Sequence, residues 1–421
     1  MLRVKRAMAG DLDQHGAVVA RYIGGDNRLG PLNGVRVLDF SQFMAGPLAA
    51  QRLGDYGADV IKVEMPARGE GSRHASASKF TIAGERASFV TFNRNKRSIT
   101  LDLKKPEGIE ICLGLLKQTD VLVENFRPGV MSRLGLGYEV VSQLNPKIIY
   151  ASVTGYGTTG PYRDFPGQDL LVQCLSGLVY LNGRAADPPT PVGTPIIDAA
   201  TGQQLALGIV AALFNRERTG EGQQVEVSLL DTAIDLQAQE LTTYLNCNVE
   251  PQRSAAGIAH AHFIAPYGIY ATKDRFLALA HTPLSKLGAF LGLNQLTEWE
   301  QQGEAFERRD EIYGLVASVL KSRTTTEWLD QMRPRDFWCG PVQTYSELAN
   351  SIQVKLSKMV VEVSYKGSTP TRLLGIPIKF SKTPGSIRRV PPDLGEHTRE
   401  VLAEFGCSDK QIADLKINKV V

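Results

Sequence analysis

From residue 34 onward, short apolar runs alternate with longer stretches in which apolar residues recur at helical spacing. Val35-Arg36-Val37-Leu38-Asp39-Phe40 reads as a strand, and Ser41-Gln42-Phe43-Met44-Ala45-Gly46-Pro47 follows it. Pro47 suits a first helical position, and Gly57 closes that helix. Ala58 to Glu64 makes a second strand and Arg97 to Leu103 a third candidate. A helix begins at Pro106, with Ile109, Cys112, Leu113 and Leu116 at i, i+3, i+4 and i+7. Asp120 to Glu124 and Lys147 to Ser152 are two further strands, separated by a helix around Tyr138 to Leu144. Such alternation predicts an α/β fold with right-handed crossovers and a mainly parallel sheet covered on both faces. Ala199 to Phe214 is small or apolar nearly all round and predicts a buried helix. Arg216 to Gly222 then turns into a strand at Gln224 to Val227.

The patterning changes near residue 250. This predicts an N-terminal arm (1–33), the first part of a large domain (34–250), a smaller α/β domain (251–345) and a final segment (346–421) that returns to the large domain. Pro251 to Gly257 reads as the linker. Ile376 to Phe380 and a helix around Glu396 to Phe405 belong to the return.

Composition narrows the class. A chain of 421 residues has room for two or three domains. Its 47 basic and 44 acidic residues leave a formal charge of +3, too little for a global field that would hold nucleic acid or an anionic membrane. Cys112, Cys174, Cys247, Cys339 and Cys407 lie far apart without a CxxC pair, which points to a reducing, cytoplasmic setting and away from a disulfide or zinc framework. The longest apolar run, Leu205 to Phe214, is about half the roughly 20 residues of a membrane span. The first residues lack the apolar core of a secretory signal, and Asp11, Asp13 and Asp26 weigh against an organellar presequence.

In open parallel sheets, ligands bind beyond the carboxyl ends of the strands. The polar and glycine-rich segments collect there: Gln42 to Pro47, Asn125-Phe126-Arg127-Pro128-Gly129, and Thr154 to Pro161. No GxGxxG follows the first strand and no GxxxxGK[ST] occurs, which argues against a dinucleotide dehydrogenase or a P-loop NTPase. Asp198, a lone carboxylate in Thr194-Pro195-Ile196-Ile197-Asp198-Ala199-Ala200-Thr201-Gly202, stands where an extended run gives way to a helix. With an ordinary pKa of about 3.9, an aspartate is a nucleophile that needs no activating base. By position alone the plainer reading, a helix N-cap, stands ahead of it. Arg94-Asn95-Lys96-Arg97, with Lys104, is either a phosphate cradle or a solvated basic loop. Arg127 and Arg133 are open in the same way, and Phe126 lies either against a nucleobase or in ordinary packing.

Set in order, these segments resemble the class III CoA-transferases, which include formyl-CoA and carnitine CoA-transferases and, as a branch, α-methylacyl-CoA racemases. The resemblance covers residues 34 to 421. It is carried by Val37 to Phe40 through Ala45-Gly46-Pro47, by Leu53-Gly54-Asp55-Tyr56-Gly57-Ala58-Asp59-Val60-Ile61-Lys62-Val63-Glu64, by Asn93 to Ser98, and by Val123-Glu124-Asn125-Phe126-Arg127-Pro128-Gly129. Gly155-Tyr156-Gly157, Thr219-Gly220-Glu221-Gly222-Gln223, Cys339-Gly340-Pro341-Val342 and Leu394-Gly395-Glu396-His397-Thr398 add to it. The resemblance implies a Rossmann-like large domain built from both ends of the chain, a small domain, and a homodimer whose chains interlock. It implies coenzyme A or acyl-CoA as substrate rather than a permanently bound cofactor, a carboxylic acid as the other substrate, and no metal. CoA is expected along Met44 and Ala45, at Leu101 and Lys104, at Asn125, Phe126 and Arg127, at Arg133, and at Gly167 and Asp169. The family nucleophile falls on Asp198.

There are departures. The formyl-CoA enzyme has a tetraglycine loop where this chain has Ala259-His260-Ala261-His262-Phe263-Ile264-Ala265-Pro266-Tyr267, which speaks against formic or oxalic chemistry. Its phosphate-binding arginine after the second strand is Met65 here, with Arg68 or Arg73 as replacements. Arg73 near the acyl pocket would also suit a dicarboxylate such as succinate. Racemisation needs two acid–base groups facing the α-carbon. The racemase branch supplies a histidine where this chain has Gln168, and an amide cannot shuttle protons. Gln168 can instead donate a hydrogen bond to charge developing in acyl transfer. The sequence therefore predicts an acyl-CoA:carboxylate CoA-transferase with Asp198 and Gln168 at its centre, and a racemase-like α-proton enzyme as the alternative. His260 and His262 are candidate small-domain contacts to substrate.

Overall fold

The computed structural model describes residues 30–75 and 79–421, so most of the predicted N-terminal arm lies outside the described residues. Six strands form the central sheet: β1 (Arg36–Asp39), β2 (Asp59–Glu64), β3 (Lys96–Thr100), β4 (Val121–Glu124), β5 (Ile149–Thr154) and β6 (Gln223–Ser228). Their order is β3-β2-β1-β4-β5-β6, and every neighbouring pair is parallel. The mainly parallel expectation is met, and the reversal of order beside β1 creates the crevice at which such sheets bind ligands.

The near-continuous apolar runs have a direct cause, since alternate side chains must fill two cores. Leu38, Ile61, Ile99, Leu122 and Tyr150 face α2 (Pro106–Leu116) and α3 (Tyr138–Leu144). Val37, Val60, Val121, Val123, Ala151 and Val153 face α1 (Ala45–Asp55) and α4 (Ile196–Thr219). Pro47 is the third residue of α1, not the first.

The chain divides into two compact units. One takes residues up to Gln168 together with Ile196–Thr232 and Ala349–Val421; the other takes Asp169–Pro195 and Ala233–Leu348. The second unit thus includes Asp169–Pro195 and the segment after Ala233, which the sequence pattern had run on with the large domain. Its centre is a three-stranded antiparallel sheet of β7 (Gly268–Ala271), β8 (Phe276–Leu279) and β9 (Cys339–Pro341), packed around Tyr270, Leu277, Leu287, Ile312, Val316 and Trp328.

In the first unit the final segment lies along the β3 edge. His397 donates its backbone N–H to Ser98 O at 2.9 Å, Asn95 to Arg389 O at 3.0 Å, and Asp102 to Val420 O at 2.8 Å. It also contributes a hairpin, β10 (Val360–Tyr365) with β11 (Ser368–Leu374), that the sequence reading missed. The helix expected near residue 400 spans Thr398–Glu404.

Candidate active site

The turn after β1 is built on a buried charge cluster. Lys96 Nζ reaches Asp39 Oδ2 at 2.8 Å, Asn93 Oδ1 at 2.9 Å and Pro47 O at 3.0 Å, while Lys62 Nζ donates to Ser41 O at 2.7 Å. Asp39 also accepts from the backbone N–H of Ser41 at 2.9 Å. Burial pushes the Asp39 carboxyl up, but the two ammonium groups outweigh it and hold it below its ordinary value. Burial brings the Lys96 amine down to about 8 against the pull of Asp39. Asn125 ties this turn to β4, because its amide donates to Gln42 O at 2.8 Å and accepts from Gln42 N at 2.7 Å. Asn125 was expected at CoA, and here its amide is spent on bracing the loop that would hold CoA.

Beyond the carboxyl ends of β1, β2, β3 and β4 lies a cleft of about 470 Å³. Phe40, Phe43, Leu101, Leu103 and Phe126 supply its apolar wall, and Arg68, His74 and Lys104 its polar side. Of the expected CoA contacts, Leu101, Lys104 and Phe126 line it, and Met44 and Ala45 follow directly on Phe43 at the start of α1. Arg127 lines a neighbouring cleft instead, and Arg133 Nη1 lies 3.0 Å from where a Cβ on Gly129 would stand.

Arg73 corrects an expectation. Its guanidinium is bidentate on Glu64, at 2.7 and 2.8 Å, reaches Glu85 at 3.2 Å, and stacks 3.6 Å over the Phe89 ring. It is a buried structural cation, which leaves Arg68 as the arginine facing the cleft after β2. The basic cluster resolves in the same way. Arg94 is bidentate on Asp55 at 2.9 and 2.7 Å, and Arg97 pairs with Asp59, Glu400 and Glu404. Arg94 to Arg97 are thus neither a phosphate cradle nor a solvated loop, while Lys104 is exposed at the cleft.

Asp198 is the third residue of α4, so it is not the residue that caps the helix. A carboxylate in the first turn is favoured by the helix dipole. Asp198 shares a helix face with Gly202, Leu205 and Ile209, the stripe that is buried against the sheet. Gly202 is where α4 meets the start of α1, since a Cβ there would stand 2.6 Å from Ala45 O. Asp198 therefore stands on α4 one turn before this contact with the first residue of α1. We expect Gly202→Ala to lower kcat by about a hundredfold while the protein still folds, because a displacement near 1 Å at a reacting group has that effect. Steady-state kinetics alongside circular dichroism check this, and an unchanged kcat would refute it.

Gly155 and Gly167 touch backbone to backbone; a Cβ on Gly155 would stand 2.6 Å from Gly167 Cα. The contact brings Gly167 and the exposed Gln168 to the carboxyl end of β5. Asp169 is buried and accepts from Gln173 Nε2 at 2.5 Å, a structural bond within its own helix. In the second unit His260 is held on both ring nitrogens: Nδ1 accepts from His262 N at 3.1 Å, and Nε2 lies 2.6 Å from Glu240 Oε1.

One titratable group escaped the sequence reading. Glu124, at the end of β4, is buried and accepts from Phe126 N at 2.8 Å. Burial, helped by Glu226, pushes its carboxyl up to about 7. A folded value above the ordinary one near 4.3 means that its contribution to stability is full below pH 4.3 and is lost as pH rises through about 7. Glu124→Gln is expected to be near neutral in acid and to stabilise by about 2–3 kcal/mol above pH 7. Urea unfolding across that range tests the sign.

Residues 32–398 match the model of CoA-transferase family III. The chain is 34% identical to the succinyl-CoA–L-malate CoA-transferase beta subunit of Chloroflexus aurantiacus, over 93% of this chain and 98% of that one. It is 35% identical to the succinate–glutarate CoA-transferase of Agrobacterium fabrum, over 90% and 96%. A formyl-CoA:oxalate CoA-transferase of Afipia carboxidovorans is 32% identical, over 91% and 96%. Among solved structures, a CAIB/BAIF family protein from Brucella suis superposes with a TM-score of 0.78 at 32% identity, covering 90% of this chain and all of that one. With the parallel sheet, the cleft at its switch point and the motifs in order along the chain, the match places this protein in CoA-transferase family III.

Proposed function

We propose that this transferase moves CoA between a dicarboxylic acyl-CoA of the succinyl type and a second carboxylic acid, with Asp198 as the covalent relay. The observation that carries this is the carboxylate in the first turn of α4, one turn before the Gly202 contact with the start of α1. Relatives named for succinyl-CoA with malate and for succinate with glutarate favour a dicarboxylic donor.

The steps balance without any external energy source. An Asp198 carboxylate oxygen attacks the thioester carbonyl, the C–S bond breaks, and CoA leaves as thiolate from a mixed anhydride. The thiolate attacks the aspartyl carbonyl of that anhydride, which frees the donor acid and leaves an aspartyl-CoA thioester. The acceptor carboxylate attacks this thioester and expels thiolate again. The thiolate then takes the new acyl group and regenerates Asp198. Gln168, with an exposed amide and no acid–base function, serves as a hydrogen-bond donor to the developing charge.

CoA lies in the cleft after β1 to β4, its base between Leu101 and Phe126 and its phosphates at Lys104 and Arg68. Lys104→Ala and Arg68→Ala should each raise KM for succinyl-CoA about tenfold with kcat little changed, the signature of a contact kept from ground state to transition state. A lowered kcat at constant KM would remove them from this role. The working form is a homodimer. Leu207, Val210 and Phe214 follow at i, i+3 and i+7 on α4 and are exposed in the single chain, an apolar stripe that a second copy would cover. Light scattering reads that directly.

Mixing the protein with succinyl-CoA and trapping with hydroxylamine or borohydride, followed by peptide mass spectrometry, tests the whole reading. A modification confined to the Asp198 peptide supports it. No adduct, together with solvent deuterium entering the α-carbon of the acyl group, would replace it with the racemase-like reading.

A further inference from the structure

A second cleft of about 470 Å³ lies on the other side of the Asn125–Met131 loop, over β4, β5 and β6, apart from the cleft given above to CoA. Its floor is a row set by strand register. Glu124 on β4 is opposite Ser152 on β5, and Ser152 is opposite Glu226 on β6, so all three side chains stand on one face of three adjacent strands. Ser152 is 3% exposed, lines the cleft, and its hydroxyl has no hydrogen-bond partner. A buried hydroxyl left unpaired costs about 1–3 kcal/mol, so something has to meet it.

The charges point the same way. Glu124 and Glu226 repel each other, and among the described residues neither is paired with a cationic side chain; Glu226 accepts only from Gln224 Nε2, at 3.0 Å. Arg127 and Arg163 line the same cleft, and no carboxylate of the described residues pairs with either guanidinium. A primary ammonium carries three N–H donors in one compact charge, which matches a hydroxyl flanked by two carboxylates. A guanidinium pair matches a carboxylate.

We infer that this cleft binds a small amino acid, its ammonium over Ser152 between Glu124 and Glu226 and its carboxylate at Arg127 and Arg163. Occupancy reaches the CoA cleft through one short path. Glu124 holds Phe126 N, Phe126 lines both clefts, and the neighbouring Asn125 braces Gln42.

The test is calorimetry and thermal unfolding of the whole protein with glycine, L-alanine and 4-aminobutyrate, against acetate, propionate and butyrate, which lack the amine. The amino compounds are expected to bind saturably at millimolar concentration, and the plain acids not to bind at this site. Binding at neutral pH should also release a proton, read from calorimetry in buffers of different ionisation heat, because an ammonium beside Glu124 favours its charged form. Glu226→Gln, an exposed position safe for folding, and Ser152→Ala should each weaken binding at least about tenfold. The site is refuted if none of the three amino compounds binds, if both variants bind like wild type, or if ammonium chloride alone reproduces the shift.

Discussion

Asp198→Ala is expected to lower kcat for CoA transfer by at least about a thousandfold and to abolish the covalent adduct with succinyl-CoA. Removing a nucleophile from a covalent mechanism leaves only binding and electrostatic stabilisation, and effects of three to six orders of magnitude are usual. Asp198 sits in the first turn of α4, half-buried, so its loss leaves no large cavity and the fold should survive. KM for succinyl-CoA should change little, because the CoA cleft lies at the ends of β1 to β4 and includes no part of α4. Transfer within a few-fold of wild type would rule out the relay, whatever the adduct measurement gave.

The second large effect concerns stability. Asp39→Asn removes the carboxylate that faces both Lys62 and Lys96, whose side chains are wholly buried. Breaking a buried pair from one side costs about 3–5 kcal/mol, because an uncompensated charge stays in the interior. A lysine, unlike an arginine, can respond by giving up its proton. Lys96 already titrates near 8, below the ordinary value of about 10.4. Over the window between those values folding releases a proton, so stability rises with pH there, and in the variant the window opens lower still. The deficit of Asp39→Asn should thus be widest well below pH 8 and narrow as pH rises toward 8. Denaturant titrations at several pH values measure this; a deficit independent of pH would mean that the lysines keep their charge by another route.

Much of the central sheet was readable because β4 and β5 are short, largely apolar runs set between helices, whereas β3 (Lys96–Thr100) and β6 (Gln223–Ser228) are mostly polar. The helix at Tyr138–Leu144 and the start of the one at Pro106 agree with the expected residues. The position of Asp198 in a helical first turn was legible too, since a lone carboxylate among small residues stands out. Charged residues whose partners are far away in sequence were not legible. Arg97 meets Glu404 across 307 residues and Arg94 meets Asp55 across 39, so a local reading sees four polar positions and assigns them to solvent or to phosphate. Arg73 was misplaced although its partner Glu64 is only 9 residues away, because the pair forms across the turn that follows β2. The hairpin of β10 and β11 did carry a signal, alternation in Val360 to Tyr365 ending in Lys366-Gly367, and it was overlooked. Glu124 was read as the end of a strand, and only the register across β4, β5 and β6 shows what it faces.

The last segment of the chain, hydrogen-bonded along β3 through Arg389, His397 and Val420, fixes the order of events during synthesis. When the ribosome has made the second unit, β3 still lacks those neighbours, and Arg97 still lacks Glu400 and Glu404. The nascent protein therefore carries an open sheet edge, with Arg97 paired to Asp59 alone, until Glu400 and Glu404 emerge. An open edge of this kind invites pairing with other chains, and the arrival of the last segment is what closes it.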